Sequence, residues 1–104
     1  MSTQQPQATE EGLRDLARYF YTLKDVLRLR ILITLADNVE MTVTELAQTL
    51  RVSQPLISFH LRPLRTFGLV KVRRAGREVY CSIDMDRIKQ HQDEFMDLLI
   101  QATT

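Results

Sequence analysis

Residues 53–67 read SQPLISFHLRPLRTF, which is the pattern of an amphipathic helix with two chemically different faces. Ser53 is a favourable N-cap, and Pro55 falls in the first turn, where a missing backbone N–H costs little. One face of the helical wheel carries Ile57, His60, Leu61, Leu64 and Phe67. The other face carries Gln54, Ser58, Arg62 and Arg65. We therefore predict a helix from Gln54 to Phe67 that packs on one face and presents amide, hydroxyl and guanidinium groups on the other.

A shorter helix is predicted just upstream of this segment. Residues 42–45 (TVTE) have the form of a capping box, which satisfies free N–H groups at the start of a helix. The side chains expected on the inner face of that helix are Val43, Leu46, Ala47 and Leu50. Arg51 and Val52 then form a tight turn before Ser53. The order is a helix, a short turn and a second helix.

Two strands are predicted downstream, after Gly68 ends the helix. Residues 69–73 (LVKVR) and 78–83 (EVYCSI) alternate between apolar and polar side chains with a period of two. Residues 74–77 (RAGR) between them have the length and the glycine of a hairpin connection. The tip of this hairpin is therefore expected to be surrounded by arginines.

Helices are also predicted on both sides of this central part. Residues 10–23 have helical spacing, and residues 26–36, capped by Asp25, are apolar nearly all round and should form the most buried helix. Asp84 is expected to cap a last helix, whose apolar stripe comprises Met85, Ile88, Phe95, Leu99 and Ala102, widened by His91, Met96 and Leu98. This stripe is wider than one neighbouring element needs, so part of it is expected to face a second chain.

The length and composition are those of a single globular domain. The chain has 104 residues, of which 44% are hydrophobic and 26% are charged. We expect residues 1–9 to be a disordered tail and residues 10–104 to form the domain. A single cysteine excludes an internal disulfide, no apolar stretch is long enough to cross a bilayer, and no export signal is apparent. These observations predict a reduced, soluble, intracellular protein with no membrane partner.

The net charge of +1 conceals an uneven distribution along the chain. Residues 46–77 contain seven basic residues and no Asp or Glu, whereas the remainder contains seven basic and thirteen acidic residues. A positive block inside a folded domain indicates a polyanionic partner, although a solvated basic face is the alternative.

A helix, a turn, a helix and a basic hairpin follow the order of a winged helix-turn-helix. An α-helix with its side chains fits the major groove of B-DNA, and the hairpin wing can reach a neighbouring phosphate ridge or the minor groove. Gln54 can pair with adenine, Ser58 can donate or accept, and the arginines can contact phosphates or guanine. The fold class predicted is mainly α with a small β-hairpin.

Four short strings carry a family pattern: LRIL (29–32) after Asp25, TVTELA (42–47), SQPLISFHL (53–61) and GLV (68–70). They resemble the ArsR/SmtB family of bacterial repressors, and the similarity runs from about Phe20 to Asp84. The resemblance implies a symmetric homodimer that binds an imperfect inverted repeat of double-stranded DNA in the bacterial cytosol, at the nucleoid. The implied dimer interface, on the first and last helices, comprises Leu13, Leu16, Phe20, Ile88, Phe95 and Leu99. The DNA-binding residues predicted are Thr44, Ser53, Gln54, Ser58, Phe59, Arg62, Arg65, Arg73, Arg74 and Arg77.

The metal positions of the family are the main departure from this pattern. Arsenic-sensing members carry C-x-C where this chain has Thr42 and Thr44, and a hydroxyl is not a soft ligand. The positions that bind zinc in other members hold Met85, Arg87, Leu98 and Gln101, none of which is a usual zinc ligand. We therefore predict no metal and no cofactor, with the usual trigger absent or moved.

Structural roles are expected for the remaining titratable groups. His60 is expected to be a structural histidine, and Cys81 a small hydrophobic residue rather than a redox switch. His91 is expected in the core or at the interface, and the alternative is a relocated metal site with nearby carboxylates. No motif of a nucleophilic, phosphate-binding or zinc-hydrolase site is present, so the chain is predicted not to be an enzyme. The alternative functions are a protein-interaction module and a sensor with a relocated metal or redox site.

Overall fold

The structure, a computed structural model, describes residues 8–103, which form five helices and three strands. The elements are α1 (Glu10–Leu23), α2 (Val26–Ala36), β1 (Met41–Thr42), α3 (Val43–Leu50), α4 (Gln54–Thr66), β2 (Val70–Ala75), β3 (Glu78–Ile83) and α5 (Met85–Thr103). The predicted tail falls mostly on residues 1–7, which lie outside the described residues. Thr9 accepts a hydrogen bond from the Gly12 backbone N–H at 2.9 Å and is the N-cap of α1.

Local capping chemistry places the helix boundaries where the sequence predicts them. The Asp25 carboxylate accepts hydrogen bonds from the first backbone N–H groups of α2 at 2.9 and 3.1 Å. Thr42 and Glu45 form the complete capping box of α3, with bonds of 3.0 and 2.8 Å. Ser53 caps α4 at 3.2 Å, and α4 continues through Pro63 to Thr66. These side chains satisfy N–H groups that a helix leaves unpaired at its start.

The sheet differs from the predicted hairpin in two respects. It has three strands in the order β1-β3-β2, because the short β1 pairs antiparallel with β3 through Met41–Cys81 and Thr42–Tyr80. The connection at the tip is also shorter than the predicted residues 74–77, since Ala75 pairs with Glu78 and only two residues form the turn. Gly76 has a positive φ of 62°, as the first position of a type II′ turn requires. The wing is therefore a tight hairpin with a third strand at its base.

The core lies between the helices and the sheet. Leu35, Leu46, Ile57 and Leu64 from three helices are fully buried, together with Leu69 just before β2. The prediction that α2 is the most buried helix was wrong. Its inner face is buried, but Val26, Leu29 and Ile33 are 62%, 41% and 69% exposed, because no element within residues 8–103 covers the outer face. A helix with apolar side chains on every face is buried only on the faces against which another element packs.

The last helix, α5, packs against α1 through a few aromatic and polar contacts. The Tyr19 hydroxyl donates to the Gln92 amide oxygen at 2.7 Å, and Phe20 meets Phe95 edge-on with ring centroids 5.0 Å apart. No residue of α5 is fully buried, and the exposed apolar side chains on α1 and α5 are Leu13, Tyr21, Met85, Met96, Leu99 and Ile100. No helix within residues 8–103 is long and apolar enough to cross a membrane.

Within the chain, the six residues predicted for the dimer interface separate into two groups. Leu13 and Leu99 are exposed at 44% and 46%, so they are available to a second chain. Leu16 is buried, and Phe20, Ile88 and Phe95 are half-buried between the helices of the same chain. The residues of this second group therefore pack beneath the exposed surface of α1 and α5.

Candidate nucleic-acid interface

A single crevice of about 380 Å³ brings the start of α3, the outer face of α4 and the wing hairpin together. We call it the wing crevice; its lining residues are Val43, Thr44, Gln54, Ser58, Leu61, Arg62, Arg65, Val72, Arg74, Arg77, Glu78 and Val79. Seven of the ten residues predicted to bind DNA lie among them, although they come from three separate elements. The predicted outer face of α4 is therefore exposed and continues into the wing.

The periodicities of the helix and the strands explain this arrangement. On α4, Gln54, Ser58 and Arg62 follow one another at intervals of four residues and so share one face. Alternation along β2 turns Val72 and Arg74 toward the crevice, and their partners Cys81 and Val79 on β3 point the same way. The crevice consequently has an apolar floor, which includes Leu61 and Val79, beneath a polar and basic rim.

The rim is strongly positive. Arg62, Arg65, Arg74 and Arg77 form no ion pair within the part of the chain that the structure describes. The acidic residue of the crevice is Glu78, which follows directly after the acid-free segment and was not among the predicted site residues. Guanidinium groups without local partners are suited to phosphate oxygens, which they bind through charge-assisted hydrogen bonds.

Arg73 stands apart from the other arginines predicted to bind DNA. It lies on the opposite face of β2 from Arg74, and its Nε and one terminal nitrogen donate to the two Glu40 oxygens at 3.0 and 2.9 Å. Its guanidinium carbon lies 4.4 Å from the centroid of the Tyr80 ring. These hydrogen bonds lower the pKa of Glu40 and raise that of Arg73. The strand alternation visible in the sequence would have separated Arg73 from Arg74, but nothing in the sequence points to Glu40 as its partner.

Two further predicted residues, Ser53 and Phe59, lie outside the wing crevice. The Ser53 hydroxyl accepts from the Leu56 backbone N–H as the cap of α4. Phe59 is 59% exposed and meets the His60 ring edge-on, with centroids 5.2 Å apart. For both residues DNA contact stays a prediction; an exposed phenyl ring can contact a thymine methyl group.

Comparison with known proteins identifies the family. Residues 25–72 match the sequence profile described as "Bacterial regulatory protein, arsR family". A protein of Synechocystis named "Transcriptional repressor SmtB homolog" is 38% identical over 89 residues, which cover 86% of this chain and 67% of that protein. The chain belongs to the ArsR family. The named members of this family are transcriptional regulators and not enzymes.

Two other proteins resemble this chain in sequence, in structure or in both. The transcriptional activator HlyU of Vibrio cholerae is 40% identical over 72% of this chain and 68% of its own. Its reduced structure superposes with a TM-score of 0.67 and 30% identity over 80% of this chain and 87% of HlyU. A homodimeric winged helix-turn-helix DNA-binding domain from Mycobacterium bovis gives a TM-score of 0.69 at 28% identity, covering 99% and 89% of the two chains. The winged helix-turn-helix fold is thereby confirmed.

His60 has a structural contact in this ArsR-family chain, as predicted. Its Nδ1 accepts a hydrogen bond from Arg28 Nε at 3.0 Å, and its side chain is 11% exposed. Asp25 lies beside it and caps α2; the backbone N–H of Arg28 is the largest cause that lowers the pKa of Asp25. The contact links the inner face of α4 to the start of α2 and so fixes how α4 is presented.

His91 lies between aromatic rings. It stacks on Tyr19 with centroids 4.5 Å apart and meets Phe67 edge-on at 6.0 Å. Its Nε2 is buried and, among residues 8–103, has no hydrogen-bond partner. The same residues contain no cluster of three or more His, Cys, Asp or Glu side chains placed to hold one metal ion.

Cys81 is fully buried on β3, as expected of a small hydrophobic residue. Burial, followed by the nearby charge of Glu40, raises the pKa of its thiol from 9.0 to about 11. At a given pH below both values, a shift of about two units leaves roughly 100-fold less thiolate, the reactive form.

We expect the folded protein to react with a thiol-specific reagent at pH 8 at least roughly 100-fold more slowly than the same chain in denaturant. The reaction can be followed by the absorbance of the released chromophore. The unfolded chain is the control, because it presents the same thiol without burial. Equal rates in the two states would show that Cys81 is accessible and would favour the alternative that it is a redox switch.

Proposed function

We propose that this chain is a homodimeric transcriptional repressor that binds an inverted-repeat operator through the wing crevice and the exposed face of α4. The observation that carries the proposal is the wing crevice itself. It places an amide, two hydroxyls and four arginines on one outward-facing surface, with no ion pair to those arginines within residues 8–103. Such a surface has both the groups that read base edges and the groups that bind phosphates.

In the proposed complex, α4 enters the major groove. Gln54 at its N-terminal end can form two hydrogen bonds with adenine N6 and N7, and Ser58 one turn later can contact the next bases. Arg62 and Arg65 lie further along α4 and contact the backbone beside the groove. The wing turn carries Arg77 toward the adjacent minor groove or phosphate ridge, where the negative potential favours arginine.

Dimerisation supplies the second half-site. The exposed apolar side chains of α1 and α5 form a surface that a second copy would cover, and the related Mycobacterium bovis domain is homodimeric. A small domain gains stability from such an interface. Repression is supported by the name of the Synechocystis relative, while HlyU is named an activator, so the direction of control depends on where the operator lies. We place this activity in the bacterial cytoplasm, at the nucleoid.

We infer that this member does not use the metal positions of its family. The Thr42 hydroxyl is already engaged in the capping box of α3, and Thr44 lines the wing crevice. At the other positions, Met85 and Leu98 offer no zinc ligand of the usual kind, and the Arg87 side chain lies over Gly68. The chemistry of these side chains therefore does not fit zinc or arsenic.

The salt dependence of DNA binding tests the proposal. We expect the affinity of the dimer for duplex DNA from its own promoter to fall with salt with a log–log slope of about −7 if the four arginines of both protomers contact phosphates. Fluorescence anisotropy over a series of salt concentrations measures the slope. Arg74→Gln should make the slope less steep by about 2 per dimer, whereas Arg30→Gln on α2 should leave the slope unchanged.

The result that contradicts the proposal is a slope near zero. Light scattering on the same sample checks the dimer, because a stable monomer that exposes Leu99 would favour the alternative of a protein-interaction module.

A further inference from the structure

We propose that Glu40, Arg73 and Tyr80, the wing clamp, set the orientation of the wing hairpin, so that Glu40 is a positioning residue for the DNA contacts of Arg74 and Arg77. The expected effect on DNA binding rests on the proposed function, whereas the effect on the orientation of the wing does not. It also reassigns Arg73 from a DNA contact to a support of the wing.

The contacts of the wing clamp join all three strands. Arg73 lies on β2, Tyr80 on β3, and Glu40 directly precedes β1. The guanidinium makes two parallel hydrogen bonds to the Glu40 carboxylate, of 3.0 and 2.9 Å, and lies over the Tyr80 ring. Arg73 and Tyr80 are direct partners across the sheet, and Tyr80 is also the partner of Thr42. A bidentate pair of this kind fixes direction as well as distance, which a single ion pair does not.

The outer half of the wing depends on such a contact because the core holds only the base of the hairpin, through Val70 and Cys81. A two-stranded hairpin is marginally stable by itself, and β1 adds only two residues to the sheet. Beyond Val72 on β2 the strand residues are exposed. Arg74 directly follows Arg73 and points to the opposite face, so any rotation of β2 at Arg73 changes where Arg74 and the turn residue Arg77 lie.

The wing clamp also lowers the charge that the wing presents. Glu40 lies outside the acid-free segment, residues 46–77. It neutralises Arg73, one of the seven basic residues of that segment, on the face of the sheet away from the wing crevice. The basic groups that remain free on the wing near the crevice are Arg74 and Arg77. Positive charge is thereby concentrated on the side that faces the proposed ligand.

The test compares four single variants in DNA binding: Arg73→Lys, Arg73→Gln, Glu40→Gln and Lys71→Gln. The first three all break the bidentate pair, so we expect each to weaken operator binding by roughly 5- to 25-fold per dimer with an unchanged salt slope. Lysine keeps the charge but cannot form two parallel hydrogen bonds, so Arg73→Lys should not retain the wild-type affinity for the operator. Lys71→Gln is the matched control, since it removes one charge from the same face of β2 and should leave the affinity within about twofold.

A second readout does not need DNA. Hydrogen exchange of the β2 and β3 amides should be faster in Arg73→Lys and Glu40→Gln than in the wild-type protein, and unchanged in Lys71→Gln. Unchanged exchange in Glu40→Gln would overturn the proposal. It would also be overturned if Arg73→Gln reduced the salt slope by about 2 per dimer while Arg73→Lys kept the affinity, because Arg73 would then be a phosphate contact. If the wild-type protein did not bind DNA at all, the proposed function would fail, and exchange would still decide whether the clamp holds the wing.

Discussion

Replacing Gln54 by alanine is expected to weaken binding to the cognate operator by roughly 30-fold to 20,000-fold, with little change on unrelated duplex DNA. The physical reason is that a bidentate contact to adenine distinguishes bases by about 1–3 kcal/mol, and a symmetric dimer loses two such contacts, or about 2–6 kcal/mol. Gln54 lines the wing crevice at the start of α4, where its amide is exposed and is not used in the cap. The affinity ratio between operator and random duplex, from competition anisotropy, is the quantity to measure.

Arg77→Ala is the matched comparison for Gln54→Ala. Arg77 lies in the wing turn and is expected to contact the backbone, so its loss should weaken binding to all sequences by the same factor and reduce the salt slope. The two variants therefore separate the reading of bases from charge. Uniform losses in both would show that Gln54 does not read a base and that α4 is not placed in the groove as proposed.

Leu64→Ala is expected to lower the free energy of unfolding by about 2–5 kcal/mol, through lost apolar burial and the cavity left behind. Leu64 is fully buried on the inner face of α4, within the main core. For a domain of this size, each kcal/mol lowers the melting temperature by about 4–8 °C, so a fall of roughly 10 °C or more is expected. Thermal unfolding followed by circular dichroism measures it.

Leu56→Ala in the same helix is the control for this change. Leu56 is 40% exposed, so the same deletion should change stability by less than about 1 kcal/mol. Comparable losses of stability in the two variants would mean that α4 does not pack through the face that carries Leu64, and the exposure of Gln54 and Ser58 would then lose its basis.

The helices and both faces of α4 were predictable because the signals that specify them are local. The caps formed by Asp25, Thr42 and Ser53 act within three residues of themselves, and the alternation of Ile57 and Leu64 with Ser58 and Arg62 needs only the helical period. The same holds for the acid-free segment, whose charge is a property of the chain. The polar and basic side chains that α4 contributes to the wing crevice could therefore be predicted from the sequence, whereas Glu78 and the apolar floor could not.

Contacts between residues distant in sequence were not predictable. Strand β1 has only two residues, too few for a period to show, and it exists because β3 offers a free edge at Tyr80 and Cys81. The exposed outer face of α2 has the same cause, since burial depends on which elements pack there and not on the apolar content of the helix.

Local interactions and tertiary contacts thus determine different features of this protein. Cap chemistry, helical and strand periods and charge act between neighbours in the chain, so the amino-acid sequence alone determined the helix boundaries and the residues of the outer face of α4. The pairing of Arg73 with Glu40 joins residues 33 positions apart, and only the packing of the sheet brings them together. Tertiary structure therefore decided which arginines of the basic segment face the wing crevice and which one supports the wing.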